Sequence, residues 1–284
     1  MSSMTTTAPS DVVRTDLVIS DMMWVIAYTL AIWARLDCRR SPMSTLTSRL
    51  DPDSSDLPSA VLFDMDGTLI DSEPLWHAVE VEVMNELGGV WSQADQEHCL
   101  GGPLERISAY MVDRSGTQHP PQEVGRRLLD RMTIMLSAEP LTWRPGAREL
   151  LRQSIELGIP RALVTASWGV LVDAVSGRMH EDIGADPFTV VVTGDQIANG
   201  KPHPEPYQRA AREVGIPPGS CLAIEDSPTG VRSASSAGCV VVAVPHLTTL
   251  PADLSDVLVV GDLAGWTVPD LWREAVSKDR RPAN

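Results

Sequence analysis

The stretch Val61-Leu62-Phe63-Asp64-Met65-Asp66-Gly67-Thr68-Leu69-Ile70-Asp71-Ser72 ends an apolar run in two carboxylates one residue apart, followed at once by Gly-Thr. Val61–Phe63 reads as a short buried strand and Gly67 as a turn. On an extended segment residues i and i+2 face one side, so Asp64 and Asp66 can flank a single ligand. Gly67 lets the chain leave without placing a side chain there. An EF-hand is excluded by spacing, because its glycine is the sixth loop residue and Gly67 is the fourth counting from Asp64.

Outward from this turn, further apolar runs read as strands: 162–165, 188–192, 221–224, 240–244 and 257–260. They are continuous rather than alternating, as expected of strands buried on both faces of a parallel sheet. Helical patterns over about 146–157, 168–180, 204–214 and 228–237 separate them. The alternation predicts an α/β fold with a doubly wound, Rossmann-like parallel sheet. Between the first two strands lie far more residues than one crossover needs, and none reads as a strand. Leu75, Val79, Val83 and Leu87 mark one helix, closed by Gly88-Gly89. Ser92 caps a second, Pro103 starts a third that stops at Gly116, and residues 121–138 form a fourth. The expected organisation is a core of residues 59–73 and 143–284 with an all-helical cap, 74–142, inserted after the first strand.

Ligands of open α/β sheets bind beyond the carboxyl ends of the strands. Those ends carry Asp64, Asp66, Gly67 and Thr68; Thr165, Ala166 and Ser167; Lys201-Pro202 across a short loop; and Glu225, Asp226 and Ser227. Together they read as a Mg²⁺ site beside a phosphate site. Mg²⁺ takes hard oxygen ligands and keeps several waters, so one or two carboxylates and a phosphate oxygen suffice. Asp64 and Asp226 can supply the carboxylates and Asp66 a backbone carbonyl. Thr165, the N–H of Ala166 and the ammonium of Lys201 can hold phosphate oxygens.

The 284 residues are 43% apolar and 21% charged, which allows a sizeable core. The formal net charge of −15 repels nucleic acid and anionic lipid, so an anionic substrate needs a local cationic focus. Cys38, Cys99, Cys221 and Cys239 form no CxxC and the six histidines no paired motif, which fits free thiols in a reducing cytoplasm and argues against zinc. Residues 1–58 read as an N-terminal extension and linker, expected to be poorly ordered. Their uncharged run, Met22 to Ala34, is shorter than the about 20 residues of a membrane span and lacks the basic leader of a signal peptide.

In this order, Asp64-x-Asp66-Gly-Thr, Thr165, Lys201-Pro202 and Glu225-Asp226-Ser227 resemble the four motifs of the haloacid dehalogenase superfamily. The helical insert, led in by Asp71-Ser72-Glu73-Pro74-Leu75, is similar to that of its β-phosphoglucomutase-like phosphatases. The resemblance implies a Mg²⁺-dependent phosphatase acting on a small phosphorylated metabolite, with a phosphosugar mutase as the alternative. Asp64 is then the nucleophile that becomes an aspartyl-phosphate, and Asp66 the acid and base. Thr165 and Lys201 hold the phosphoryl group, and Asp64, Asp66 and Asp226 hold the Mg²⁺, with Glu225 acting on it through water. Asp66 speaks against dehalogenation, since the superfamily's dehalogenases lack an acid there. Trp76, His77, Gly102 and Arg106 are the candidates for substrate contact within the insert. In the sugar-phosphate mutases the insert's specificity loop carries an Arg that grips a second phosphate. Here Leu104 stands at that place and Arg106 two residues later. A monomer, or at most a weak dimer, is expected.

Overall fold

The computed structural model describes residues 56–100, 102–254 and 257–279. The apolar run 22–34, nearly all of the extension read over 1–58, and Cys38 lie outside the described residues. Six strands form one parallel sheet: β1 (Ala60–Phe63), β2 (Arg161–Val164), β3 (Val190–Val192), β4 (Cys221–Glu225), β5 (Val240–Ala243) and β6 (Leu258–Val259). The order is β3-β2-β1-β4-β5-β6. The chain therefore runs outward from β1 on one side and returns to β1 with β4 on the other, which puts the topological switch beside β1.

The register makes the same point residue by residue. Phe63 of β1 lies opposite Leu163 of β2 and Ile224 of β4, so Asp64 emerges level with Val164 and Glu225. Successive β1 residues serve opposite faces. Val61 and Phe63 enter one apolar cluster with Leu163, Leu222, Ile224 and Val242, and Ala60 and Leu62 enter another with Ala162, Val164, Ala223 and Val241. Burial on both faces explains why the strands read as unbroken apolar runs.

Between β1 and β2 stand α1 (Glu73–Glu86), α2 (Gln93–Cys99), α3 (Leu104–Ser115), α4 (Pro121–Ala138) and α5 (Ala147–Glu156). The first four make the insert, and α4 has the bounds its sequence pattern predicts. Ser92 caps α2 in a reciprocal capping box with Asp95. Pro103 is the N-cap of α3 rather than a residue of its first turn, and Gly116 ends that helix in the left-handed region. The two connections to the insert pair with each other: Asp71 N donates to Thr142 O at 2.8 Å and Arg144 N to Leu69 O at 2.9 Å. The insert is thus carried on a short antiparallel ribbon, with α4 also lying against α6 (Gly169–Ile183).

The remaining crossovers are α7 (Glu205–Val214) and α8 (Pro228–Ala237), and α9 (Val268–Lys278) closes the described chain. The strand-and-helix reading above omits α9. Its signal is Thr267-Val-Pro-Asp270, where the Thr267 hydroxyl accepts from Asp270 N ahead of buried Leu271, Trp272 and Ala275. Among the described residues no helix is long and apolar enough to cross a membrane. Cys99, Cys221 and Cys239 are buried and form no disulfide with one another.

Candidate active site

Each strand that borders β1 contributes at its carboxyl end. Asp64 N donates to Ile224 O at 3.0 Å, continuing the sheet by one residue, and the chain then turns through Gly67 at φ 83°. A Cβ at Gly67 would run into the Asp226 carboxylate, so this glycine serves both the turn and the approach of the β4 loop. Thr68 Oγ1 lies 3.4 Å from Asp226 Oδ1, within reach to donate.

Lys201 arrives on the loop after β3, next to a cis Lys201–Pro202 peptide. Its Nζ donates to Asp64 Oδ1 at 2.6 Å, to Glu225 Oε1 at 2.5 Å and to Val164 O at 2.9 Å. All three side chains are nearly or fully buried, Glu225 completely. Burial works against the charge of Lys201, but Asp64 and Glu225 outweigh it and hold the ammonium above its usual pKa. Burial and the charge of Asp64 push Glu225 up, while the donors Lys201 and Tyr207 pull it back. Among the described residues no donor meets Asp64 Oδ2, which leaves that oxygen available to an electrophile.

Asp66 is clamped separately. Ser72 Oγ donates to its Oδ1 at 2.5 Å and Ser167 Oγ to its Oδ2 at 2.6 Å. Burial raises its pKa and the two hydroxyls oppose the shift, with a net rise. The carboxyl is thus poised to carry a proton at higher pH than a free aspartate would. Thr165 is buried, its hydroxyl accepts from Ser167 N at 3.0 Å, and its own proton remains to be donated.

Asp64, Glu225 and Asp226 place ligand oxygens within 4.8 Å of one another. Burial first, then Asp64 and Glu225, push Asp226 well above the usual carboxylate range. Three crowded carboxylates and one ammonium are short of positive charge, and an all-oxygen donor set suits a hard divalent cation. The residues present therefore fit a hard divalent cation such as Mg²⁺, to which Asp64 and Asp226 can offer side-chain oxygens. Glu225 is already engaged by Lys201 and Tyr207.

The insert residues read as substrate contacts stand apart from this cluster. Trp76 is half-buried against the apolar core. His77 Nδ1 lies 2.7 Å from Gln96 Oε1. Arg106 Nη2 donates to Cys99 O at 3.3 Å, and its guanidinium covers Gly102, where a Cβ would collide with it. None of the four is hydrogen-bonded to Asp64, Asp66, Thr165 or Lys201. Sequence reasoning gave no role to Ser72, Ser167, Tyr207 or Gly230. Ser72 stands in the lead-in to the insert and Ser167 two residues after Thr165, and hydroxyls so close to the motifs were a usable signal. Nothing local marks Tyr207 or Gly230. Glu73, in the first turn of α1, is pushed up to about 7 by burial and by the charges of Asp66 and Asp71.

A family profile described as "Haloacid dehalogenase-like hydrolase" matches residues 61–244, which contain all of these side chains. The chain belongs to this hydrolase family. Among its relatives in the family, protein CbbY of Rhodobacter capsulatus is 30% identical over 218 residues, 75% of this chain and 93% of that one. Hexitol phosphatase B of Escherichia coli K12 is 33% identical, covering 66% of this chain and 83% of the relative. A probable pseudouridine-5'-phosphatase of Drosophila melanogaster is 31% identical, covering 69% and 89%. Of solved structures, CbbY of Rhodobacter sphaeroides, in complex with xylulose-(1,5)bisphosphate, superposes with a TM-score of 0.66 at 26% identity, over 76% of this chain and 99% of that one. A putative β-phosphoglucomutase of Thermotoga maritima superposes at 0.60, also with 26% identity, over 77% and 98%. The resemblance carried by the four motifs is borne out, together with the Rossmann-like sheet.

Proposed function

We propose that the chain is a Mg²⁺-dependent phosphatase that hydrolyses a small phosphorylated metabolite through an aspartyl-phosphate on Asp64. The observation that carries this reading is the pairing at the switch point. Lys201 occupies one oxygen of Asp64, no donor among the described residues meets the other, and beside it Asp66 is held by two hydroxyls. In the first step Asp64 Oδ2 attacks phosphorus as the bond to the alcohol oxygen breaks, and protonated Asp66 gives that oxygen its proton. In the second, the Asp66 carboxylate takes a proton from water as that water attacks phosphorus. The bond to Asp64 breaks and inorganic phosphate leaves. Lys201, the Thr165 hydroxyl and the Ala166 N–H hold the phosphoryl oxygens throughout. Mg²⁺, held by Asp64, Asp226 and the Asp66 carbonyl, would offset the negative charge of the phosphate and of the carboxylates around it.

In this reading residues 59–73 and 143–284 are the catalytic core and 74–142 a cap that sets specificity, and Trp76, His77, Gly102 and Arg106 remain its candidate contacts. A relative named hexitol phosphatase, and a CbbY structure in complex with xylulose-(1,5)bisphosphate, favour a phosphorylated sugar or sugar alcohol as substrate. The enzyme would work as a monomer in the cytoplasm. A mutase needs a grip on a second phosphate, and the turning of Arg106 onto Cys99 O supports hydrolysis instead. The test is a panel of phosphorylated metabolites, scored for inorganic phosphate with wild type and Asp64→Asn. Asp64→Asn should lose at least about tenfold in rate, a cost of about 1.4 kcal/mol or more, with unchanged circular dichroism. Retention of more than that share would remove Asp64 as nucleophile.

A further inference from the structure

Tyr207 lies on α7, wholly buried, and its hydroxyl donates to Glu225 Oε1 at 2.6 Å. Lys201 Nζ donates to the same oxygen and sits 5.4 Å from the centroid of the Tyr207 ring, within cation–π range. The other Glu225 oxygen faces Ser227 Oγ at 3.4 Å and the Cα of Gly230, where a Cβ would run into the carboxylate. Glu225 is therefore caged by four residues from α7, α8 and two loops. Packing alone does not ask for a phenol at this place, because phenylalanine would fill the same volume without a polar atom to satisfy. Nor does either step of the proposed reaction use one.

The cage matters because Glu225 stands within reach of the ion ligands. Its carboxylate, with those of Asp64 and Asp226, falls inside the 4.8 Å cluster. A third carboxylate on the ion would favour Ca²⁺, which takes more oxygen ligands at longer distance, over Mg²⁺, which demands six at short distance. We propose that Tyr207 is a positioning residue: its hydroxyl, with Lys201, pins Glu225 as the anchor of Lys201 and keeps that carboxylate out of the ion's ligand set. This rests on the reading of the site as a Mg²⁺ phosphatase.

The test is Tyr207→Phe, which keeps the ring and removes one oxygen. Calorimetric titration with Mg²⁺ and with Ca²⁺ alone should show the Ca²⁺/Mg²⁺ affinity ratio raised about tenfold, the scale of one charge-assisted hydrogen bond. With p-nitrophenyl phosphate, kcat should fall about tenfold while KM changes little. The double variant Tyr207→Phe/Glu225→Gln should return the ratio to that of Glu225→Gln alone, because a neutral amide is a poor ligand for either ion. A merely structural tyrosine would lower the melting temperature and leave the ratio alone, and that outcome overturns the proposal. So does a raised ratio that persists in the double variant. If Tyr207→Phe does not fold, Gly230→Ala pushes Glu225 from the opposite side of the cage, and an unchanged ratio there overturns the proposal equally. Wild type that releases no phosphate from any ester ends the phosphatase reading, while the calorimetric ratio still decides the role of Tyr207.

Discussion

Glu80 is an acid buried in the insert, and replacing it with glutamine should stabilise the protein above neutral pH and destabilise it in acid. It stands on the inner face of α1 with 3% of its surface exposed, and its Oε2 accepts from Trp91 Nε1 at 3.1 Å. Burial, and after it the charge of Glu73, pushes it from 4.5 up to about 7. Between those values the folded chain retains a proton that the unfolded chain has lost. Unfolding then releases a proton, and stability falls as pH rises through that window. The full shift is worth on the order of 3 kcal/mol above pH 7. Glu80→Gln keeps an oxygen for Trp91 and removes the charge, but its amide N–H groups need partners, which costs about 1–2 kcal/mol. A net gain of about 1–2 kcal/mol at pH 8 corresponds to a melting temperature higher by roughly 3–6 °C for a domain of this size. Near pH 4 both side chains are neutral, only the amide cost remains, and the variant should be less stable than wild type by about 1–2 kcal/mol. Scanning calorimetry of both proteins from pH 4 to 8 measures this. An offset of the same size at every pH, or a variant less stable at pH 8, would refute the reasoning.

Lys201→Met leaves Asp64 and Glu225 buried without their cation, and urea unfolding at pH 8 without added metal should show a loss of about 3–5 kcal/mol; a loss below about 1 kcal/mol would mean the pair is solvated. Gly67→Ala combines a left-handed backbone with a collision against Asp226, so it should abolish Mg²⁺ binding by calorimetry while costing about 1–3 kcal/mol of stability. A Gly67→Ala protein that binds Mg²⁺ normally would show that Asp226 does not need its present place. Supplied with a hexose 1-phosphate, the enzyme should yield inorganic phosphate and free sugar; phosphorus NMR showing an isomeric sugar phosphate would establish a mutase instead.

The sequence by itself determined what short-range physics encodes. Unbroken apolar runs announced strands buried on both faces, and Pro121 to Ala138 announced a helix with the bounds it has. The turn at Gly67 and the polar residues after each strand announced a reaction edge. Such signals depend on neighbours within a turn or two of the chain. What only the tertiary structure decided is which groups meet across long separations. Lys201 and Asp64 are 137 residues apart, Ser167 and Asp66 are 101, and no periodicity links them. Tyr207 drew no role from the sequence, and its hydroxyl acquires meaning only once α7 is laid against the sheet and reaches Glu225. Glu225 reads in sequence as an outer ligand of a metal, and its enclosure by Lys201, Tyr207 and Gly230 shows only in the fold. Arg106 reads in sequence as a candidate substrate contact, and only the fold shows it bonded to a carbonyl seven residues back. The strand order places β1 between β2 and β4. Sheet packing sets that order, and it turns four separate loops into one site.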